Sequence, residues 1–103
     1  MIIREWRGRA RLDRADAYPK HFRESVAPEL KNIPGFVGAD LCRRIAGDRI
    51  EYLVVSRWRS MEAIRVFAGD EPNNAVVEPG AIAALEEFDD FARHYETLET
   101  LSV

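Results

Sequence analysis

The two histidines of this chain, His21 and His94, are the side chains best suited to move a proton near neutral pH. His94 lies in a stretch with the pattern of a strand, where neither face is expected to be fully hydrated. It is either a catalytic base or a structural histidine bonded to a carboxylate such as Asp90 or Glu96. His21 adjoins the apolar stripe of a predicted helix and is expected to face solvent, but it is the second candidate base.

Other signatures of chemistry are missing from the sequence. It contains no metal-ligand spacing, phosphate-binding loop, nucleophile elbow or dinucleotide fingerprint, so we expect no metal and no cofactor. The carboxylate pairs at 86–87 and 89–90 indicate a solvated helix end. Cys42, the single cysteine, is interpreted as a small half-buried residue rather than a reactive thiol, and it fits a reducing cytoplasm.

The composition indicates one globular domain, residues 1–103, with 47% hydrophobic and 32% charged residues. No apolar run approaches the roughly 18 residues of a membrane span, and no signal peptide is recognisable. We therefore expect a cytoplasmic protein without membrane contact. Residues 1–68 carry 14 Lys/Arg and 9 Asp/Glu, but the chain has a net charge of −3 and no recognition motif, which argues against a nucleic-acid partner.

Hydrophobic periodicity and turn residues predict four strands and two helical regions, the second of them split. Apolar residues at every fourth position indicate a first helix that Asp13 caps and Pro28 kinks. Ser60 is expected to cap the second helical region, with Ile64, Phe67, Ile82 and Leu85 facing inward. The predicted ranges are strands 2–11, 35–45, 50–59 and 91–97, and helices from Asp13 to about Asn32, from Ser60 to Gly69 and from Pro79 onward.

The order β-α-β-β-α-β predicts an α+β fold, the ferredoxin-like plait with an antiparallel sheet. In that plait two helices cover one face of a four-stranded sheet and leave the other face bare. The strand at 50–59 has apolar residues on both faces, since Tyr52 and Val54 alternate with Leu53 and Val55. A second copy of the chain is therefore expected to cover the bare face, which predicts a homodimer.

Several segments together resemble the antibiotic biosynthesis monooxygenase family across nearly the whole chain. The segments are Pro34-Gly35-Phe36, Tyr52 with Trp58-Arg59-Ser60, Glu62-Ala63, Val76-Val77-Glu78-Pro79 and His94-Tyr95-Glu96. The resemblance implies a dimeric α+β barrel with a pocket in each subunit between the sheet and the helices. The characterised members of that family include cofactor-free oxygenases of phenols or quinols and haem-degrading enzymes, while many members have no known reaction.

The haem-degrading branch of the family is disfavoured by the residues. Those enzymes use an Asn on the first strand, a Trp on the second helix and a His shortly after it. Here the first strand offers Trp6 and Arg7, the helix position holds Phe67, and the following segment has Asn73 and Asn74 but no His. The iron would then lack an obvious axial ligand.

The oxygenase branch needs aromatic walls, one base and a donor for a developing oxyanion. His94 is the catalytic candidate, and an Arg of the first strand can supply the positive charge. The candidate substrate-binding walls are Tyr52, Trp58, Phe22 and Phe67, although each also suits plain core packing.

We predict an enzyme like a cofactor-independent monooxygenase acting on a small aromatic phenol or quinol. The alternative is a non-catalytic dimer on the same fold, which binds a small molecule or has a stress-related role. An isomerase or decarboxylase that uses the same pocket is a third possibility.

Overall fold

The computed structural model describes residues 1–103, and it confirms the ferredoxin-like plait. Five strands and four α-helical segments follow one another, with a 3₁₀ turn at Leu12–Arg14 and a π-helical segment at Phe22–Val26. The elements are β1 (Ile2–Arg11), α1 (Ala17–His21), α2 (Ala27–Lys31), β2 (Phe36–Ala46), β3 (Arg49–Trp58), α3 (Met61–Ala68), α4 (Pro79–Ala84), β4 (Glu87–Phe88) and β5 (Arg93–Glu96).

The sheet is antiparallel, and β1 lies at its centre. Strand β1 pairs with β3 on one side and with both β4 and β5 on the other, while β2 forms the far edge beside β3. The β2–β3 hairpin closes at Gly47, whose φ of +67° is a left-handed conformation that glycine adopts without steric cost. Register with β3 places Arg4, Trp6 and Ala10 on the face that the helices cover.

The first helical region runs from α1 through the π-helical segment into α2. Its wide turn is closed by a bond from the Ala27 amide to the Phe22 carbonyl, five residues back. A proline ring clashes with the carbonyl four residues before it, here that of Glu24, and a wider turn ahead of Pro28 relieves this clash. The expected cap at Asp13 is wrong, because Asp13 lies in the 3₁₀ turn and pairs with Arg11 instead.

The second helical region matches the sequence prediction at its start and departs from it at its end. The Ser60 hydroxyl accepts the Ala63 amide at 3.2 Å, so the predicted cap is confirmed. In α4 the buried residues are Ala81 and Ala84, whereas Ile82, which we expected to face inward, is 54% exposed. Strand β4 was not predicted, and the last strand is confined to Arg93–Glu96.

The core fills the space between the helices and one face of the sheet, with Tyr52, Trp58 and Ile64 fully buried. The other face is more polar than its sequence pattern indicates. Leu53 and Val55 are flanked there by Glu51 and Arg57, whose charges pair with arginines and a carboxylate of the neighbouring strands. None of the helices is long and apolar enough to cross a membrane.

Candidate active site

A small cavity of about 40 Å³ lies between the sheet and the helices. Most of its wall is apolar and includes Trp6, Tyr18, Leu30, Val54 and Phe67. Four polar side chains also line it: Arg4 and Ser56 from the sheet, His21 from α1, and Glu78 from the segment before α4. An apolar space with a few converging polar groups is the usual form of a ligand site, although this one is much smaller than the roughly 300–1,000 Å³ of most such sites.

Arg4 is the charged group of this cavity, and its side chain is buried, with 4% of the residue exposed. Its NH1 donates to the Pro72 carbonyl, and its NH2 donates to the Asn74 carbonyl at 2.9 Å. The guanidinium carbon also lies 5.7 Å from the centre of the Phe67 ring, within range of a cation–π contact. Burial lowers the pKa of Arg4 to about 10, so the group is still protonated at neutral pH.

His94 contacts Arg4 rather than the cavity. Its Nε2 lies 2.8 Å from the NH1 of Arg4, and its Nδ1 lies 3.0 Å from the Asn73 Oδ1. Since the guanidinium has only donors, Nε2 must accept, and Nδ1 then carries the proton and donates to Asn73. Burial lowers the pKa of His94, and the neighbouring charge of Arg4 lowers it further. His94 is therefore a neutral imidazole that supports Arg4.

The carboxylate partner expected for His94 is wrong. Neither Asp90 nor Glu96 bonds to its ring, because the cross-strand register of β1 and β5 sets His94 directly opposite Arg4. Arg4 and Asn73 are the hydrogen-bond partners of the two ring nitrogens of His94.

His21 lies in the cavity wall, so the expectation that it faces solvent is wrong. Its Nε2 is buried and has no hydrogen-bond partner. The other edge of the ring packs against Gly80, where a Cβ would lie 2.7 Å from Cε1 and closer still to Nδ1. Glycine at position 80 thus permits the close approach that directs His21 inward. The ring also lies 5.9 Å from that of Tyr18.

The carboxyl group of Glu78, in the segment before α4, lines the same cavity as this histidine. Burial raises the pKa of Glu29, and Glu78 raises it further through its charge and a side-chain hydrogen bond. The neighbourhood of Glu78 therefore favours the protonated form of Glu29.

Of the predicted aromatic wall residues, Phe67 lines the cavity and the other three do not. Trp58 is stacked on Phe67 at 5.9 Å, and both Trp58 and Tyr52 are 0% exposed. The hydroxyl of Tyr52 donates to the Ala15 carbonyl. Phe22 is half-buried and packs against the same core cluster as Tyr52. A ligand would contact these three side chains only in a widened cavity.

An arginine of the first strand was expected to supply charge, but Arg4 was not identified as that arginine, and Trp6, Tyr18 and Glu78 were not expected to line the site. For Arg4 a signal was available, because strand alternation puts it on the same face as Ile2 and Trp6. An arginine at an inward position of a central strand is unusual enough to mark a site. No three His, Cys, Asp and Glu side chains of the chain lie close enough together to hold a metal ion.

Comparison with solved structures shows the same fold in proteins of low sequence identity. A variant of MhuD carrying two manganese protoporphyrin IX molecules per active site aligns with a TM-score of 0.71 at 22% identity, over 100% of both chains. MhuD is a haem degrader from Mycobacterium tuberculosis. A Streptomyces coelicolor monooxygenase in complex with nanaomycin D aligns with a TM-score of 0.70 at 15% identity, over 99% of this chain and 91% of the other.

A putative antibiotic biosynthesis monooxygenase from Deinococcus radiodurans aligns with a TM-score of 0.65 at 14% identity, over 100% of this chain and 98% of the other. Among curated proteins none matches this sequence. The family model described as antibiotic biosynthesis monooxygenase matches residues 1–78, which include β1 to α3 and every cavity residue except Ala81. The chain therefore belongs to the antibiotic biosynthesis monooxygenase family.

Proposed function

We propose that this protein is a monooxygenase that oxidises a small phenolic or quinol molecule with dioxygen in the cavity between the sheet and the helices. The observation that carries the proposal is the Nε2 of His21, which is buried in this cavity without a hydrogen-bond partner. A buried polar atom left unpaired costs about 1–3 kcal/mol, and a ligand hydroxyl would remove that cost.

His21 is the proposed base of the reaction, in preference to His94. The Nε2 of His94 already accepts from Arg4, and His94 does not line the cavity. The Nε2 of His21 is free to accept the proton of a phenolic hydroxyl, and the positive charge of Arg4 favours the anion that results. His94 and Asn73 then position the guanidinium rather than take part in proton transfer.

The redox steps of the reaction need no cofactor, because the substrate itself reduces dioxygen. A deprotonated electron-rich ring passes one electron to dioxygen, and the resulting radical and superoxide combine to form a carbon–oxygen bond. Loss of water from the peroxide leaves a carbonyl. One oxygen atom of dioxygen thus replaces two hydrogens of the substrate, and the other leaves as water. The protein binds the ring, accepts the first proton and excludes bulk water.

Haem is the cofactor that some structural relatives bind, and the residues of this cavity do not fit it. A space of about 40 Å³ holds a few water molecules, far less than a porphyrin needs. Arg4, which lines the cavity, is also tied by hydrogen bonds to Pro72 and Asn74 in the segment after α3. A single aromatic ring requires much less widening, so we propose a reaction without haem.

The outer face of the sheet is the proposed dimer interface. Leu53 and Val55 lie half-exposed there beside the charge pairs of Glu51 and Arg57. A second copy related by a two-fold axis would bury these apolar side chains and set complementary charges against each other.

Oxygen uptake by the purified protein tests the proposal. Anthrone and a panel of quinols are supplied without added flavin, haem or metal, and product mass is measured alongside. We expect uptake above the uncatalysed rate, with a product heavier by one oxygen and lighter by two hydrogens. Uptake that appears only after haem or flavin is added would contradict the proposal.

A non-catalytic small-molecule-binding dimer is the second candidate function. The observation that favours it is the small volume of the cavity, which leaves little room for a substrate and dioxygen together. Tight binding of a quinol with no oxygen uptake would select this function.

A further inference from the structure

Arg4 differs from the other arginines of its strand in having no counter-charge. Arg7, Arg9 and Arg11 each have a carboxylate oxygen 2.7–2.8 Å from a guanidinium nitrogen. No carboxylate oxygen lies within 4.0 Å of the guanidinium of Arg4, although Arg4 is the most buried of the four. Its three hydrogen-bonding partners, two carbonyls and a neutral imidazole, carry no net charge.

A buried cation without a counter-ion is costly, and proteins rarely retain one without a function. If Arg4 served only to fasten the segment after α3, an uncharged donor would do so at a lower desolvation cost. The pKa values agree with the geometry, since acidic partners raise the pKa of Arg7 and Arg9 whereas burial lowers that of Arg4. Arg4 therefore lacks an anionic partner, and an anion can reach its guanidinium through the cavity that Arg4 lines.

We infer that the cavity binds an aromatic monoanion whose anionic oxygen pairs with the guanidinium of Arg4. The apolar lining, with Trp6 and Phe67, suits the ring of such a ligand. Glu78 lines the same cavity, but its carboxylate lies more than 4.0 Å from the guanidinium of Arg4, so it is not the counter-charge. The inference rests on the proposed function only in placing the ligand in this cavity.

The anionic oxygen belongs either to a carboxylate or to an ionised hydroxyl, and two probes separate these sources. Benzoate and benzamide have the same shape and differ in charge, and their binding is measured under nitrogen by quenching of tryptophan fluorescence, since Trp6 lines the cavity. We expect benzoate to bind about 10–100-fold more tightly, as hydrogen bonds to a charged group imply. In the second arm para-nitrophenol, whose anion is yellow, is titrated with and without protein, and we expect its pKa to fall on binding.

Preference for benzoate alone assigns the carboxylate, and a lowered nitrophenol pKa alone assigns the ionised hydroxyl. Equal binding of benzoate and benzamide together with an unchanged or raised nitrophenol pKa would overturn the inference. Because all binding is measured without oxygen, these outcomes are independent of turnover. Anion binding without oxygen uptake would contradict the proposed function but support this inference. Oxygen uptake without any preference for benzoate or the nitrophenol anion would support the proposed function but contradict this inference.

Two variants connect the effect to Arg4. Arg4→Met removes the charge and keeps the length of the side chain, and we expect the benzoate preference to fall to within about twofold of unity. The matched control is Arg11→Met, which removes an exposed arginine of the same strand and should leave the preference unchanged. If Arg4→Met fails to fold, Arg4→Lys replaces it, and a retained but weaker preference supports the assignment. The assignment to Arg4 would be overturned if Arg4→Met kept the full preference for benzoate over benzamide, or if folded Arg4→Lys showed no such preference.

Discussion

The NH1 of Arg4 and the Nε2 of His94 lie 2.8 Å apart, so a positively charged donor holds the imidazole in its neutral form. Protonation of His94 would place two cations in contact and would break the bond from Arg4. The bond from Nδ1 to Asn73 ties the same ring to the segment that Arg4 also contacts through Pro72 and Asn74. Neutral His94 therefore adds a link between this segment and the sheet, beside the direct bonds that Arg4 makes to it.

The stability of the protein should decrease in mild acid because of this contact. The pKa of His94 is lower in the folded protein than its ordinary value of 6.5, so below pH 6.5 the unfolded chain binds more protons than the folded one. The free energy of unfolding contributed by His94 is complete above pH 6.5 and is lost as the pH falls toward the folded pKa. Urea unfolding at several pH values measures it.

The comparison variant is His94→Gln, whose amide can accept from Arg4 and donate to Asn73 without titrating. The raised pKa of Glu29 gives an opposite trend, with stability lost as the pH rises above its ordinary 4.5, and that trend is the same in both proteins. The difference between wild type and variant at each pH therefore isolates His94. An identical pH dependence in the two proteins would contradict the assignment.

Replacing His21 should reduce turnover without reducing stability. In His21→Phe the ring is kept and the unpaired Nε2 is removed, so no polar partner is left behind and the free energy of unfolding should change by less than about 1 kcal/mol. Loss of the proton acceptor should lower turnover by about 10²–10⁴-fold. The measurements are oxygen uptake and urea unfolding, with His94→Gln as the control that keeps His21. Equal turnover in His21→Phe and wild type would remove His21 from the mechanism.

Sequence reasoning succeeded for the parts of the fold that local patterns determine. Strand β1 has the predicted bounds, and the Ser60 cap forms as expected, because alternation and capping each involve neighbouring residues. Strand β4 was missed because it is two residues long and is held by bonds around it, from the Glu86 and Asp89 amides to β1 carbonyls. Its own residues have no strand pattern.

The site was harder to predict because its residues depend on contacts between elements. The ring of His21 packs on Gly80 of α4, far along the chain, and the π-helical segment that follows His21 changes the phase of α2 relative to α1. Neither feature can be derived from the spacing of apolar residues. His94 was correctly recognised as half-buried, but its partner depended on which β1 residue the last strand faces.

A charge on the outer face of the sheet should separate the proposed dimer. Leu53→Glu places a carboxylate among half-buried apolar side chains, which a second subunit would have to desolvate. Sedimentation should find a dimer for wild type at micromolar concentration and a monomer for Leu53→Glu. The control Val66→Glu changes a side chain that is 70% exposed on α3 and should remain dimeric. A monomeric wild type would refute the interface.

Adding one methyl group at Gly80 should destabilise the protein, against the usual effect of alanine in a helix. Alanine is favoured over glycine there by about 0.5–1 kcal/mol, but its Cβ would overlap the His21 ring. We expect Gly80→Ala to lower the free energy of unfolding by about 1–3 kcal/mol, as overpacking does. In a His21→Ala background the ring is absent, and the same change should become neutral or stabilising. Urea unfolding of the four proteins gives the coupling between the two positions directly. A Gly80→Ala effect that is the same in both backgrounds would mean that Gly80 does not position His21.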